Sequence, residues 1–161
     1  MFGLGKKKVN VGAVFAGRAV PVADIPDPVF SGGMLGEGFA VVPPAEETTL
    51  EVGSPVAGTV TRVFKTGHAF VVTSREGLDV LVHIGLETVE LKGQGFTILV
   101  QQGEAVDMGT PIIRLDLATV RQAGLNPITP VVFATKAQVS KVETTLGAVA
   151  AGDVVATVTL A

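Results

Sequence analysis

Along most of the chain, apolar residues come in short runs, and glycine or proline interrupts them at close intervals. Valine and other β-branched residues dominate these runs. Short β-branched runs bounded by turn residues predict strands rather than helices. The pattern places strands near residues 13–20, 39–42, 58–64, 69–73, 79–84, 97–99, 111–116, 131–134 and 154–160. One segment departs from it. Asp116 can cap a helix whose body is LATVRQA (117–123), and Gly124 followed by Asn126-Pro127 stops it. Residues 24–38 and 43–54 read as loops. The expectation is an all-β chain with one or two short helices.

Two weak internal repeats refine this. FAGRAVPV (15–22) aligns with VAGTVTRV (56–63), each with Ala-Gly inside an apolar run, as at the corner of a strand. GEAVDMGTPII (103–113) resembles GAVAAGDVVATV (147–158). Both pairs predict a domain made of two similar β halves. The first loop, DIPDPVFSGGMLGEG (24–38), is long and carries Phe30 between acids and glycines. Phe30 is expected to plug the core beneath the loop rather than to serve as a contact.

Composition narrows the class. With 161 residues, 47% apolar and 17% charged, the chain suits one globular domain with a real core. A net charge of −3 argues against broad nucleic-acid binding. The absence of cysteine excludes disulfides and thiolate metal sites, and a cytoplasmic location fits. No apolar stretch is long enough to span a bilayer, and MFGLGKKK lacks the apolar region of a signal peptide. Phe2, Leu4 and Lys6 to Lys8 offer at best a weak, transient contact with the inner membrane surface. Residues 1–12 are expected to be a flexible segment and 13–161 the domain. The start at MFG and the end at Ala161 fit a free-standing protein.

Only two histidines occur, and both lie in FKTGHAFVVTSREGLDVLVHIGLETVEL (64–91). HAFVVT and LDVLVHI read as the strands of a hairpin, with Ser74-Arg75-Glu76-Gly77 as its loop. A four-residue loop sets Thr73 opposite Leu78, Val71 opposite Val80 and Ala69 opposite Val82, an apolar core face. The other face then carries Val72 opposite Asp79, Phe70 opposite Leu81 and His68 opposite His83. A three-residue loop would send the histidines to opposite faces. The expected result is a close imidazole pair in an apolar surround. Two such rings resist double protonation, so at least one is neutral and offers a lone pair to a metal, a proton or an electrophilic phosphorus. The other can donate to a phosphoryl oxygen. Thr66 can orient His68, and Ile84-Gly85 leaves room for a close approach. No Walker loop or kinase signature is present, so a phosphoryl group would have to arrive from another phosphoprotein.

These residues carry a resemblance. VHIGLETVELKGQGF (82–96) and TGHAF (66–70) resemble enzyme IIA of the glucose class of the bacterial phosphoenolpyruvate-dependent sugar phosphotransferase system. So do ADIPDPVFSGGMLGEGFAV (23–41), SPVAGTV (54–60), VQQGEAVDMGTPIIRLD (100–116) and ITPVVF (128–133). The resemblance implies an antiparallel β-sandwich or barrel built from a duplicated half, like the duplicated hybrid motif. It implies a phosphotransferase component with His83 as the phosphohistidine, carried on Nε2. His68 would assist onward transfer, Thr66 would hold His68, and the Gly85 carbonyl would fix the ring of His83. Phe30, Phe64, Phe70 and Leu81 would form an apolar docking surface with acids at Asp27, Glu87 and Glu90. The implied donor is the histidine-containing phosphocarrier protein, with a basic face, and the implied acceptor is a IIB domain of a sugar permease. Regulatory binding of permeases and metabolic enzymes is also implied. Leu81 and Ile84 stand where phenylalanine is common, and Glu87 where aspartate is common. The amphipathic N-terminal helix of some family members is not evident.

Rival readings fit less well. A zinc-dependent peptidase of the same β architecture needs more metal ligands and catalytic histidines than two histidines supply. A biotinyl or lipoyl carrier needs a lysine at a hairpin tip between methionines, which is missing. A purely regulatory binding module can coexist with phosphoryl transfer. No cofactor is required, although zinc could bridge His68 and His83 if a partner supplied a carboxylate.

Overall fold

The computed structural model describes residues 6–161. Strands run Lys8–Gly12 (β1), Gly17–Pro21 (β2), Gly38–Val42 (β3), Thr49–Gly53 (β4), Gly58–Val63 (β5), Ala69–Ser74 (β6) and Asp79–His83 (β7). They continue with Phe96–Ile98 (β8), Ala105–Val106 (β9), Pro111–Asp116 (β10), Thr129–Val132 (β11), Val139–Thr144 (β12), Gly147–Val149 (β13) and Val154–Leu160 (β14). Two short helices, Pro28–Ser31 (α1) and Leu117–Gln122 (α2), and three 3-10 turns complete the chain. All strand pairs are antiparallel.

The topology displays the duplication. One large sheet has the order β13-β2-β3-β11-β7-β6-β5-β9, and two small sheets have the orders β1-β14-β12 and β4-β10-β8. Exchanging β2 with β5, β3 with β6, β11 with β7 and β13 with β9 reads the large sheet backwards unchanged. The same exchange maps one small sheet onto the other, with β14 and β10 at their centres. The two sequence repeats therefore fall on equivalent strands. Gly17 and Gly58 open the equivalent strands β2 and β5. A Cβ at either would sit 2.2 Å from the Val42 carbonyl oxygen or 2.0 Å from that of Thr73, so only glycine fits at both corners.

The strands that carry strong apolar alternation form where expected. β10 and β14 have the expected bounds, and α2 is capped by the Asp116 side chain, which accepts from the Ala118 N–H. The weaker ones were hidden. β12 is an edge strand, VSKVET, with no fully buried residue, so its sequence lacks a core face. β4 lies in the expected loop 43–54, yet Val52 is fully buried. β1 corrects the expected flexible segment 1–12: residues 8–12 pair with β14, and Val9 and Val11 are buried in the core. The membrane contact expected of Phe2 and Leu4 falls outside the described residues, and Lys6 to Lys8 are exposed.

The histidine hairpin takes the register that the sequence argument rejected. Thr73 lies opposite Asp79, Val72 opposite Val80, Val71 opposite Leu81, Phe70 opposite Val82 and Ala69 opposite His83. The cause lies in the loop. The Ser74 N–H donates to the Leu78 carbonyl (2.8 Å), the Leu78 N–H donates to Ser74 Oγ (3.0 Å), and only Arg75, Glu76 and Gly77 remain outside. Leu78 turns into the core. Asp79 faces the other way, accepting hydrogen bonds from Thr73 Oγ1 (2.7 Å), Thr135 Oγ1 (2.8 Å) and Gln138 Nε2 (3.1 Å). These bonds compensate a half-buried carboxylate that the pattern argument kept off that face.

The main core therefore contains Phe70, Val72, Val80 and Val82, all fully buried. A second, smaller cluster lies around Ile25, Phe30, Ala40, Leu86, Ile128 and Val132, with Leu81 packed against it. Phe30 is only 4% exposed, as a plug would be. Phe30 and Phe70, both expected from the resemblance on the docking surface, are instead buried.

This placement makes a stability prediction. Phe70→Ala should lower unfolding free energy by about 3–5 kcal/mol, the range for a deleted core aromatic. Urea denaturation measures it, and a loss near zero would return Phe70 to the surface.

Candidate functional site

Hairpin geometry brings the histidines together by a route other than direct opposition. His68 stands one residue before β6, which starts at Ala69. A tight turn precedes it, closed by the Gly67 N–H donating to the Phe64 carbonyl (2.8 Å). The Ile84 N–H donates to the His68 carbonyl (2.7 Å) and ties this end of the hairpin shut. Strand parity would direct His68 to the core side. Its ring nonetheless meets that of His83 at the end of the hairpin, with centroids 5.2 Å apart and planes at 77°. The expected pairing of the two rings is present, although the register offered for it is not.

Each ring is held at Nδ1. His83 Nδ1 lies 2.7 Å from the Gly85 carbonyl oxygen. A carbonyl can only accept, so the proton of the neutral ring resides on Nδ1 and the lone pair on Nε2. His68 Nδ1 bonds to Thr66 Oγ1. When that hydroxyl donates, Nε2 of His68 bears the proton and can donate to an anion between the rings. Apolar edges enclose the pair. Phe30 meets His83 edge-on at 5.4 Å, and Phe64 meets His68 at 5.3 Å. Arg62 in turn lies over the Phe64 ring, 4.1 Å from its centre.

Phe30 reaches His83 because of local sequence. Asp27 caps α1 by accepting from the Val29 N–H (3.0 Å), and Pro28 occupies the first turn, where its missing N–H costs nothing. The turn after β7 is equally determined. Gly85 has φ +74°, and a Cβ there would lie 2.6 Å from Thr88 Cγ2 and 3.1 Å from the Asn126 carbonyl oxygen. Glycine is required on both counts.

Electrostatics favours neutral rings. Burial pushes both imidazoles below the usual histidine range. For His68 the neighbouring His83 adds to the effect. For His83 the Gly85 carbonyl and the Asp27 carboxylate pull the other way without reversing the direction. The neutral form is thus favoured in both rings. A neutral imidazole with a free Nε2 can attack an electrophile, and a second ring beside it can steady the charge transferred.

Of the remaining expected site residues, Asp27 is half-buried beside His83, Glu87 and Glu90 are exposed, and Leu81 is half-buried below. Sequence reasoning missed Val29, Val89 and Ile98, which are 43%, 51% and 42% exposed. Val29 neighbours Phe30, Val89 lies in the turn following Gly85, and Ile98 touches Gly67. Their proximity in sequence to Phe30 and His83 was the available signal for the first two. Pocket space beside the site, lined by Asp27, Leu86, Glu87 and Asn126, opens toward solvent. For a metal, two imidazoles are an incomplete zinc set. Among the described residues no group of three or more His, Cys, Asp or Glu is placed to hold an ion. A zinc peptidase therefore lacks its ligands here, and a bridging metal would need a ligand from elsewhere. Among the described residues no helix is long and apolar enough to cross a membrane.

Known proteins share this arrangement of chain. The family described as phosphoenolpyruvate-dependent sugar phosphotransferase system, EIIA 1, matches residues 9–139. Over 145 residues the chain is 41% identical to the glucose-specific EIIA component of the phosphotransferase system of Staphylococcus aureus, covering 88% of this chain and 85% of that protein. The corresponding component of Staphylococcus epidermidis is 40% identical over 145 residues, with the same coverage. The solved structure of the glucose permease IIA from Mycoplasma capricolum matches with a TM-score of 0.85 and 33% identity, covering 94% of this chain and 96% of that one. Agreement in sequence and fold over nearly the whole domain leads to one assignment: the chain belongs to the EIIA 1 family of the phosphoenolpyruvate-dependent sugar phosphotransferase system.

Proposed function

We propose that this phosphocarrier takes a phosphoryl group on Nε2 of His83 from the histidine-containing phosphocarrier protein. It then delivers the group to the IIB domain of a sugar permease of the glucose class. The observation that carries the reading is the His83 Nδ1 to Gly85 carbonyl bond (2.7 Å), which leaves Nε2 as the ring's only lone pair. The Nε2 pair attacks phosphorus as the bond to the donor's nitrogen breaks, and the donor ring departs neutral. His83 becomes cationic while its proton stays on Nδ1 and donates to the Gly85 carbonyl, which steadies that charge. His68 donates from Nε2 to a phosphoryl oxygen and releases it when the acceptor's nucleophile attacks. Nothing in this sequence needs a cofactor. Exposed Val29 and Val89 supply apolar docking area, and Asp27, Glu87 and Glu90 steer a basic partner toward it. Names of the relatives favour glucose as the sugar, and the cytoplasm is where donor and acceptor domains would meet it.

Incubation with phosphoenolpyruvate, enzyme I and the phosphocarrier protein should add one acid-labile phosphoryl group, read by mass spectrometry. His83→Gln should abolish it. A gain that survives this substitution contradicts the assignment. His68→Gln should still accept the group but pass it to IIB slowly, by about 10²-fold or more, the usual scale for a lost electrostatic partner. Equal transfer rates would make His68 merely structural.

The pH dependence follows from the sign of the shifts. Acceptance requires neutral His83, so its rate should stay flat through neutrality and fall only in the acid range below the usual histidine value. Asp27→Asn keeps a helix cap but removes a charge that raises the pKa. The titration of His83, followed by NMR, should therefore move to lower pH. An unchanged titration would show that the carboxylate does not act on the ring.

A further inference from the structure

Three consecutive peptide units follow His83, and each is held by a different partner. The unit joining residues 83 and 84 is held through the Ile84 N–H, which donates to the His68 carbonyl (2.7 Å). The unit joining 85 and 86 is held at both ends. Its carbonyl faces His83 Nδ1, and its N–H donates to the Asn126 carbonyl (2.9 Å). Between them lies the unit joining 84 and 85, whose carbonyl accepts from Thr88 Oγ1. Thr88 is the one side chain in this series besides His83 itself. It has no solvent exposure, and its methyl Cγ2 occupies the space that a Cβ on Gly85 would need. To return over Ile84, the chain places Glu87 in the left-handed region at φ +59°, a conformation non-glycine residues seldom adopt.

We propose that Thr88 is a positioning residue for His83, fixing the plane of the 84–85 peptide and hence the direction of the Gly85 carbonyl that sets the tautomer of the ring. The proposal rests on the reading of His83 Nε2 as phosphoryl acceptor. The logic is geometric. Rotation of the 84–85 peptide changes φ of Gly85, and glycine itself offers little steric resistance to that change. The hydroxyl supplies the resistance by binding the Ile84 carbonyl, and the methyl limits the space into which Gly85 could turn. If the carbonyl turns away, Nδ1 loses its acceptor. The proton is then free to move to Nε2, which removes the attacking lone pair without any change in the ring's charge.

Two substitutions separate these parts. Thr88→Val keeps the volume and removes the hydroxyl; Thr88→Ser keeps the hydroxyl and removes the methyl. Long-range proton–nitrogen NMR at neutral pH reads the tautomer of His83 in each protein. Phosphorylation by the phosphocarrier protein reads its rate. In wild type the proton should reside on Nδ1. Thr88→Val should give a mixture of tautomers and slow acceptance by about 10- to 100-fold, whereas Thr88→Ser should retain the wild-type tautomer and a rate within about threefold. A folded Thr88→Val protein with the wild-type tautomer and rate overturns the proposal. Should Thr88→Val not fold, Thr88→Ser decides: a retained Nδ1 proton supports the assignment, and a lost one overturns it. If wild type accepts no phosphate at all, the phosphocarrier reading fails, while the tautomer comparison still decides whether Thr88 positions the ring.

Discussion

An imidazole has two nitrogens, and a phosphocarrier can use only one of them at a time. The bond from His83 Nδ1 to the Gly85 carbonyl makes that choice. Much of the surrounding structure serves to keep the carbonyl where it is. Gly85 must be glycine, because its backbone is left-handed and its missing Cβ would strike Thr88 and Asn126. The Leu86 N–H is anchored on the loop after α2, and the Ile84 N–H on His68. A one-residue error in any of these contacts would leave the ring free to carry its proton on the attacking atom.

The second constraint is charge. Two protonated rings 5.2 Å apart would repel. At an effective dielectric near 20 that repulsion is on the order of 3 kcal/mol, more than the ~1.4 kcal/mol of one pH unit. Burial is the larger influence on both rings, with Phe30 and Phe64 standing against the ring edges in place of water. The pair thus favours the neutral form. Asp27 opposes this modestly. Its carboxylate is better understood through its two structural contacts: it caps the helix that carries Phe30, and it stands at the open side of the site.

How much of this was legible in the sequence depended on how each segment buries its side chains. β10, β14 and α2 could be read closely because their apolar spacing and capping residue are unambiguous. β12 could not, since an edge strand with no buried face leaves no alternation to find. β4 was hidden by the prolines and acids that precede it. The hairpin is the instructive case. Both of its faces are partly apolar, one toward the main core and one toward the smaller cluster below Phe30, so the pattern did not fix the register. Ser74 fixed it, through a loop contact to Leu78 that no hydrophobic count records. The histidines meet all the same at the end of the hairpin, one residue before β6 begins. The site pair was legible; the burial of Phe70 and the exposure of Val29, Val89 and Ile98 were not, since they follow from that register and from the path of the two turns.

The central claim is that the fold delivers phosphorus to one nitrogen. Its most direct test is an NMR spectrum of the nitrogen-15-labelled protein after phosphorylation, reading the coupling between phosphorus and the histidine nitrogens. Coupling to Nε2 of His83 is expected, with Nδ1 of the same ring still protonated. Coupling to Nδ1 of His83, or to either nitrogen of His68, would contradict it.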